Sequence, residues 1–491
     1  MNWVAGHGLT YNPSEVVHGF TSPLNVLLLS LFYKLFGAHD PLGAIYGYRA
    51  ASVFVLGLTG MLIVRLFQLN GEKSALWPLL AVAFFSLDFK VMLFSINGQE
   101  PAFTVFFLAL GMVAILESKK TTQFRLLALA IAGLQWNRPE GFIYATGLLA
   151  GGMFCSEPEK RKANFWLYVR ASLTAVVLYL PWIIFTTLYY GSPVPNTIYA
   201  KASAGSLDLI AEKIPLALLH VGACALTPPY CIGSSGVSII FTMVLGAFSL
   251  VCLLAIFALP FSHFKNRLGS ISAAGAFATF FYLSLVAATS RNYPWAWPFP
   301  WYYPPLSFCI IVGLSSGLPF FIKWNAPPGG LRVLLRCVIF YTVAMTAFYF
   351  RGCYLIRNTQ EGIDNGVRKQ VGLWLRDHVL PGQTVYCECI GYIGFYSRAL
   401  ILDYPGLTSR KSVALKRAGK LDFYGLLKEL QPDWLALRET EALQADQTGL
   451  LGNYKLMERF FIPEDLVNRN GLGPNNFDGR FIVYKRAFKL Q

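Results

Sequence analysis

Ten apolar runs, most of them near the length of a lipid bilayer, occupy the first 350 residues of this chain and restrict what it can fold into. A helix that crosses a bilayer needs about 20 apolar residues. Runs that meet this, some only with tilt or as a short half, lie at roughly 44–66, 75–94, 102–117, 124–137, 141–154, 165–188, 236–262, 269–289, 300–322 and 333–350. The run at 22–37 is shorter, opens with Ser22-Pro23 and contains Lys34, so it reads as a helix lying at the membrane interface. Charge divides the chain at the same place. Residues 1–350 hold 21 Lys/Arg and 11 Asp/Glu, whereas the last 141 residues hold 20 and 15. A sparsely charged body is thus followed by a tail of ordinary soluble composition, which excludes a single soluble enzyme, a disordered chain and a fibrous repeat.

The net charge of +15 does not form the single basic patch of a nucleic-acid binder. It sits in short loops between apolar runs. If 22–37 does not span, one set of turns carries 13 cations, among them Arg65, Lys119, Lys120, Lys160, Arg161, Lys162 and Arg267. The other side carries seven: Lys34, Arg49, Lys90, Arg138, Lys201, Lys213 and Arg291. Positive residues collect on the cytoplasmic side, so the second set and the tail are expected outside. Ten spans with both ends outside leave no helix to carry the N-terminus across, and no signal peptide is visible at Met1. The pattern therefore predicts a missing upstream helix. Most of the nine cysteines lie in apolar segments as small core residues. Cys387 and Cys389 are too close for an ordinary structural disulfide, and no spacing fits zinc.

From about residue 357 the pattern changes. Residues 361–378 read as an amphipathic helix, and Val385–Cys389, Ala399–Asp403, Asp433–Leu437 and Arg480–Lys485 read as short strands. The expected architecture is a polytopic all-α membrane domain over 1–356, with about ten spans plus an interfacial helix, and a small C-terminal α/β extracytoplasmic domain over 357–491.

The chemically distinctive stretches fall on the expected outer face. Arg138-Pro139-Glu140-Gly141 breaks an apolar run and leaves two charges near the membrane surface, where charge is costly and usually functional. Arg138 suits a phosphate, because a guanidinium makes bidentate charge-assisted bonds. Glu140 suits sugar hydroxyls or an acceptor, and a salt-bridged turn is the plain alternative for the pair. Glu100 opens a run, where a carboxylate also favours a helix N-terminus. Tyr190-Gly191-Ser192-Pro193-Val194-Pro195-Asn196-Thr197-Ile198-Tyr199-Ala200-Lys201 combines a rigid turn, aromatic rings and a cation. Asn196 and Tyr199 suit a sugar and Lys201 a lipid-linked phosphate, or the stretch is an interfacial aromatic belt with a snorkelling lysine. His18, in His18-Gly19-Phe20-Thr21-Ser22-Pro23-Leu24, is a hydrogen-bonder or a substrate contact. Arg291 opens an aromatic run. No Ser/His/Asp order, dinucleotide fingerprint or metal-ligand spacing appears.

These stretches, with Gly6-His7-Gly8-Leu9-Thr10-Tyr11-Asn12-Pro13, Gly98-Gln99-Glu100 and, in the tail, Asp403-Tyr404-Pro405-Gly406-Leu407-Thr408, resemble the GT-C superfamily of membrane glycosyltransferases. The branch with the mycobacterial terminal arabinofuranosyltransferase is the most similar. The resemblance covers most of the chain and implies a polyprenyl-phosphate sugar as donor, a cell-envelope glycan or lipid as acceptor, and an active site on the outer face of a bacterial cytoplasmic membrane. It also implies an acidic base in a first-loop Asp-Asp motif, which would lie upstream of Gly6 and hence upstream of Met1. Glu15 is the one acid left in the residual loop, so the resemblance implies a start placed too late, a fragment or an inactive protein.

The function expected is transfer of the sugar to an acceptor hydroxyl with inversion of configuration. A carboxylate takes the hydroxyl proton and cations hold the leaving phosphate. Arg138 with Lys201 or Arg291 would hold phosphate, and Glu100, Glu140, Asn196, Tyr199 and His18 would position sugar or acceptor. No cofactor is assigned, and a divalent metal stays open. The alternatives are a non-catalytic GT-C relative and a lipid-linked sugar transporter or flippase.

Overall fold

A computed structural model of the chain describes residues 2–13, 15–37, 40–201, 207–227, 236–258, 266–289, 300–325, 328–419, 421–463, 466–467 and 478–487. It forms two compact units, Ser22–Ile183 with Ser203–Phe350, and Met1–Thr21 with Ile184–Ala202 and Arg351–Gln491.

The first unit is helical. Most expected apolar runs coincide with a helix, including Leu42–Leu69, Pro101–Leu116, Lys120–Asn137, Gly141–Phe154, Pro158–Tyr190 and Arg267–Thr289. Helix starts follow elementary capping. Ser22 Oγ accepts from Asn25 N at 3.1 Å ahead of Pro23, and Pro101 likewise opens its helix. The run at 75–94 is two helices, Leu76–Leu87 and Phe89–Ile96, bent by 55°. Asp88 makes the bend, ending the first helix while its Oδ1 accepts from Lys90 N at 2.9 Å to cap the second. Pro101–Leu116 buries fourteen of its 16 residues, and a helix apolar on every side belongs at the centre of a bundle. Leu173, Val176 and Val177 of Pro158–Tyr190 face outward, as lipid contact requires.

Among the described residues, four helices are long and apolar enough to cross a membrane: Leu42–Leu69, Pro158–Tyr190, Arg267–Thr289 and Ile339–His378. The bent pair would make a fifth. Pro23–Phe36, Pro101–Leu116, Gly141–Phe154, Met243–Ala258 and Pro304–Pro319 are apolar but shorter. The expected count of about ten spans is therefore not confirmed. Pro, Gly and Asp cut the apolar runs, so that Pro101–Leu116 extends about 24 Å, against about 30 Å of hydrocarbon.

The second unit carries a five-stranded sheet of β1 (Thr384–Cys387), β2 (Leu400–Asp403), β3 (Trp434–Arg438), β4 (Tyr454–Phe461) and β5 (Arg480–Arg486), in the order β2-β1-β3-β5-β4. β1 runs parallel to β2 and β3, while β5 is antiparallel to β3 and β4. Four strands were predicted, and β4 is additional. A register shift between Leu456 and Glu458 interrupts its alternation. The amphipathic stretch at 361–378 is helical throughout, Gln360–Arg368 being a π-helix that runs into Lys369–His378.

The border between units at Phe350/Arg351 lies near the expected 356/357, but residues 1–21 and 184–202 join the sheet unit. Asn12 shows why. Its Nδ2 donates to Ile401 O at 2.9 Å and its Oδ1 accepts from Ile401 N at 3.0 Å. One side chain thereby pairs both backbone groups that Ile401 would otherwise leave open on edge strand β2. Tyr11 adds an Oη–H bond to Ile390 O at 2.5 Å.

Candidate functional site

Two groupings gather the distinctive residues, one in each unit. In the helical unit, Lys120–Asn137 ends at Arg138, whose extended backbone (φ −154°, ψ 145°) is what a residue before proline adopts. The chain turns through Pro139 and Glu140 into Gly141–Phe154. A Cβ at position 141 would sit 2.3 Å from Leu134 O, so only glycine permits this close return. The turn sets Arg138 beside Glu140, with an ion pair from Nε to Oε1. Arg138 Nη1 also reaches Glu100 Oε2 at 3.2 Å. Glu100 arrives from the separate Asn97-Gly98-Gln99-Glu100 turn, where Gly98 takes φ +92°. Asn25 Nδ2 ties this turn at Gly98 O (2.9 Å), and Tyr48 Oη–H ties it at Gln99 O (2.9 Å). Asn137 Nδ2 donates to Glu100 O at 3.2 Å and to Thr104 Oγ1 at 2.5 Å. The Arg138 guanidinium lies 4.3 Å from the centre of the Tyr302 ring.

Arg138, Glu140 and Glu100 are all buried, at 7%, 7% and 9% exposure. Formally this sets two carboxylates against one guanidinium inside an apolar bundle. Arg138 Nε and Nη1 both face carboxylates, so its charge is already more than balanced there. The grouping as a whole suits a hydroxyl donor better than another anion.

In the sheet unit, β2 ends at Asp403, whose carboxylate accepts from Gly406 N (3.1 Å), Leu407 N (2.5 Å), Thr408 N (2.9 Å) and Thr408 Oγ1 (2.7 Å). The loop so fixed offers two carbonyls to Asn196 Nδ2, Gly406 O at 2.6 Å and Leu407 O at 3.2 Å. Asn196 N donates to His18 O at 2.8 Å, which joins the two expected loops directly. The His18 ring stacks on Tyr190 with centroids 4.8 Å apart, and Tyr190 Oη–H donates to Leu9 O at 2.5 Å. Burial pushes the His18 pKa down to about 4, so the imidazole is neutral at ordinary pH. These residues border a cavity of about 330 Å³, lined by Ser192, Asn196, Tyr199, Arg410 and Arg417 among others.

Of the remaining expected residues, Glu15 accepts from Arg410 N at 2.9 Å, a carboxylate placed at the start of helix Arg410–Gly419. Lys201 ends helix Asn196–Lys201, with its side chain outside the described residues. Arg291 lies outside the described residues altogether. Among the described residues no group of three or more His, Cys, Asp or Glu side chains could hold a metal ion. Sequence reasoning missed Arg410 and Arg417. Their signal was the seven-residue spacing, which puts both on one helix face.

Residues 356–484 match a family described as a domain of unknown function, DUF8728. No curated protein matches the chain. Among solved structures it is similar to the arabinofuranosyltransferase AftD from Mycobacteria. One structure of AftD, in a mutant form, matches at 14% identity and TM-score 0.45, over 94% of this chain and 36% of that chain. A second matches at 13% identity and TM-score 0.40, over 94% and 35%. The present chain thus spans about a third of the length of those solved chains.

Proposed function

We propose that this protein is an integral membrane glycosyltransferase of the GT-C kind. It would move a sugar from a polyprenyl-phosphate donor to a cell-envelope glycan or lipid hydroxyl on the outer face of a bacterial cytoplasmic membrane. The observation that carries this reading is the buried grouping of Glu100, Arg138 and Glu140, from two turns far apart in sequence. An excess carboxylate in an apolar bundle is costly to keep and marks a working site.

In this reading the acceptor oxygen attacks the anomeric carbon, and the bond from that carbon to the phosphate oxygen breaks. Configuration inverts, and polyprenyl phosphate leaves with the electron pair. Glu100 or Glu140 takes the hydroxyl proton, a role open to the carboxylate that Arg138 does not neutralise. Arg138 positions both carboxylates. Lys201 and Arg291 are assigned to the leaving phosphate. His18, Asn196 and Tyr199 are assigned to sugar or acceptor.

The test is transfer of a radiolabelled sugar from a polyprenyl-phosphate donor in membranes carrying the protein. Glu100→Gln, Glu140→Gln and Arg138→Ala should each reduce turnover by at least about a hundredfold. Undiminished turnover in all three would remove the grouping from the reaction. Movement of the intact donor across the membrane without transfer would identify a flippase instead.

A further inference from the structure

Helix Arg410–Gly419 carries Arg410, Lys411, Lys416 and Arg417 and no acid. Such a helix is ordinarily a solvated face. Here Arg410 and Arg417, two turns apart on one side, line a concave cavity in the size range of small-molecule sites. Both side chains are held by neutral groups. The Arg410 guanidinium donates to Tyr190 O, and Arg417 lies 4.6 Å from the centre of the Tyr199 ring. Among the described residues neither guanidinium pairs with a carboxylate. Glu15 binds the backbone N–H of Arg410 and Ser409 Oγ. The remaining wall is uncharged, with Ser192, Asn196 and the neutral His18 among its residues.

We propose that this cavity binds a phosphate-bearing saccharide, with its phosphate on Arg410 and Arg417 and its sugar ring against Tyr199. Two guanidiniums supply the charge-assisted bonds that a phosphate takes. The aromatic and amide wall suits a pyranose or furanose face. The inference rests on the saccharide chemistry proposed above but concerns two arginines to which that reading gives no part. The phosphate could arrive on a free sugar or on a lipid, and the two sources are separable by experiment.

The whole protein in detergent micelles is titrated by calorimetry with glucose 1-phosphate, methyl glucoside, inorganic phosphate and geranyl phosphate. Glucose 1-phosphate should bind more tightly than inorganic phosphate, and methyl glucoside should not bind measurably. Arg410→Gln and Arg417→Gln should each weaken glucose 1-phosphate by at least about tenfold, while Lys411→Gln leaves it unchanged. Arg417 is exposed, so its variant should keep the native circular dichroism even if Arg410→Gln does not. Equal affinity for inorganic phosphate and glucose 1-phosphate would overturn the saccharide part. Tight geranyl phosphate with no glucose 1-phosphate would replace the sugar by a lipid phosphate. Undiminished affinity in a folded Arg417→Gln protein would overturn the site. Weakened binding in the arginine variants with no sugar transfer by the native protein would sink the proposed function and leave this inference standing.

Discussion

Arg138 holds Glu140 on one nitrogen and Glu100 on another, which makes its replacement a sharp probe of the buried charges. Arg138→Met would leave two neighbouring carboxylates without a counter-charge and should cost about 3–5 kcal/mol. Glu100→Gln brings the grouping to formal neutrality and should cost less. Thermal unfolding in detergent orders the two, and equal costs would mean that the charges are not coupled. His18 gives a second prediction at this scale. Its folded pKa of about 4 lies below the ordinary 6.5. Below pH 6.5 the unfolded chain takes up a proton that the folded chain refuses, so stability is full above 6.5 and falls as pH drops towards 4. The loss should approach about 3 kcal/mol, and His18→Phe should flatten that part of the unfolding profile. Arg138 and Glu140 were legible as a motif, because Pro139 and Gly141 break an apolar run around them, and Glu100 because it opens another run. Their pairing across 38 residues was not, since helical periodicity says nothing about which turns meet.

Among the elements, helix positions followed closely from apolar runs, as at Ser22-Pro23, but the break that Asp88 makes inside 75–94 was not read. Strand β4 escaped notice. Lys455, Glu458 and Arg459 with an irregular register hide the two-residue period that marks a strand. Helix Arg410–Gly419 was not read as the wall of a cavity, because its aromatic partner Tyr199 lies more than two hundred residues earlier. The protected edge of β2 yields a test. Asn12→Ala should leave the N–H and C=O of Ile401 open, at a cost of about 1–3 kcal/mol. Hydrogen exchange should then speed at Ile401 while β3 and β5 stay protected. Unchanged exchange at Ile401 would mean that water serves that edge as well as the side chain does.

For the molecule as a whole, charge separates a sparsely charged body from a charge-rich tail, but the recruitment of residues 1–21 and 184–202 into the sheet unit was not readable. That recruitment rests on individual side-chain bonds such as those of Asn12 and Tyr11, which composition does not register. The proposed sidedness is testable by impermeant thiol labelling of intact cells. Lys411→Cys should react directly, and Lys160→Cys only after the membrane is opened. The reverse pattern would place the tail in the cytoplasm. Asn12 and Ile401 are 389 residues apart, yet each completes the other. At ordinary translation speeds about 20–80 s separate their emergence from the ribosome. Through that interval the segment around Asn12 has no sheet to join, and it needs shelter until β2 is made.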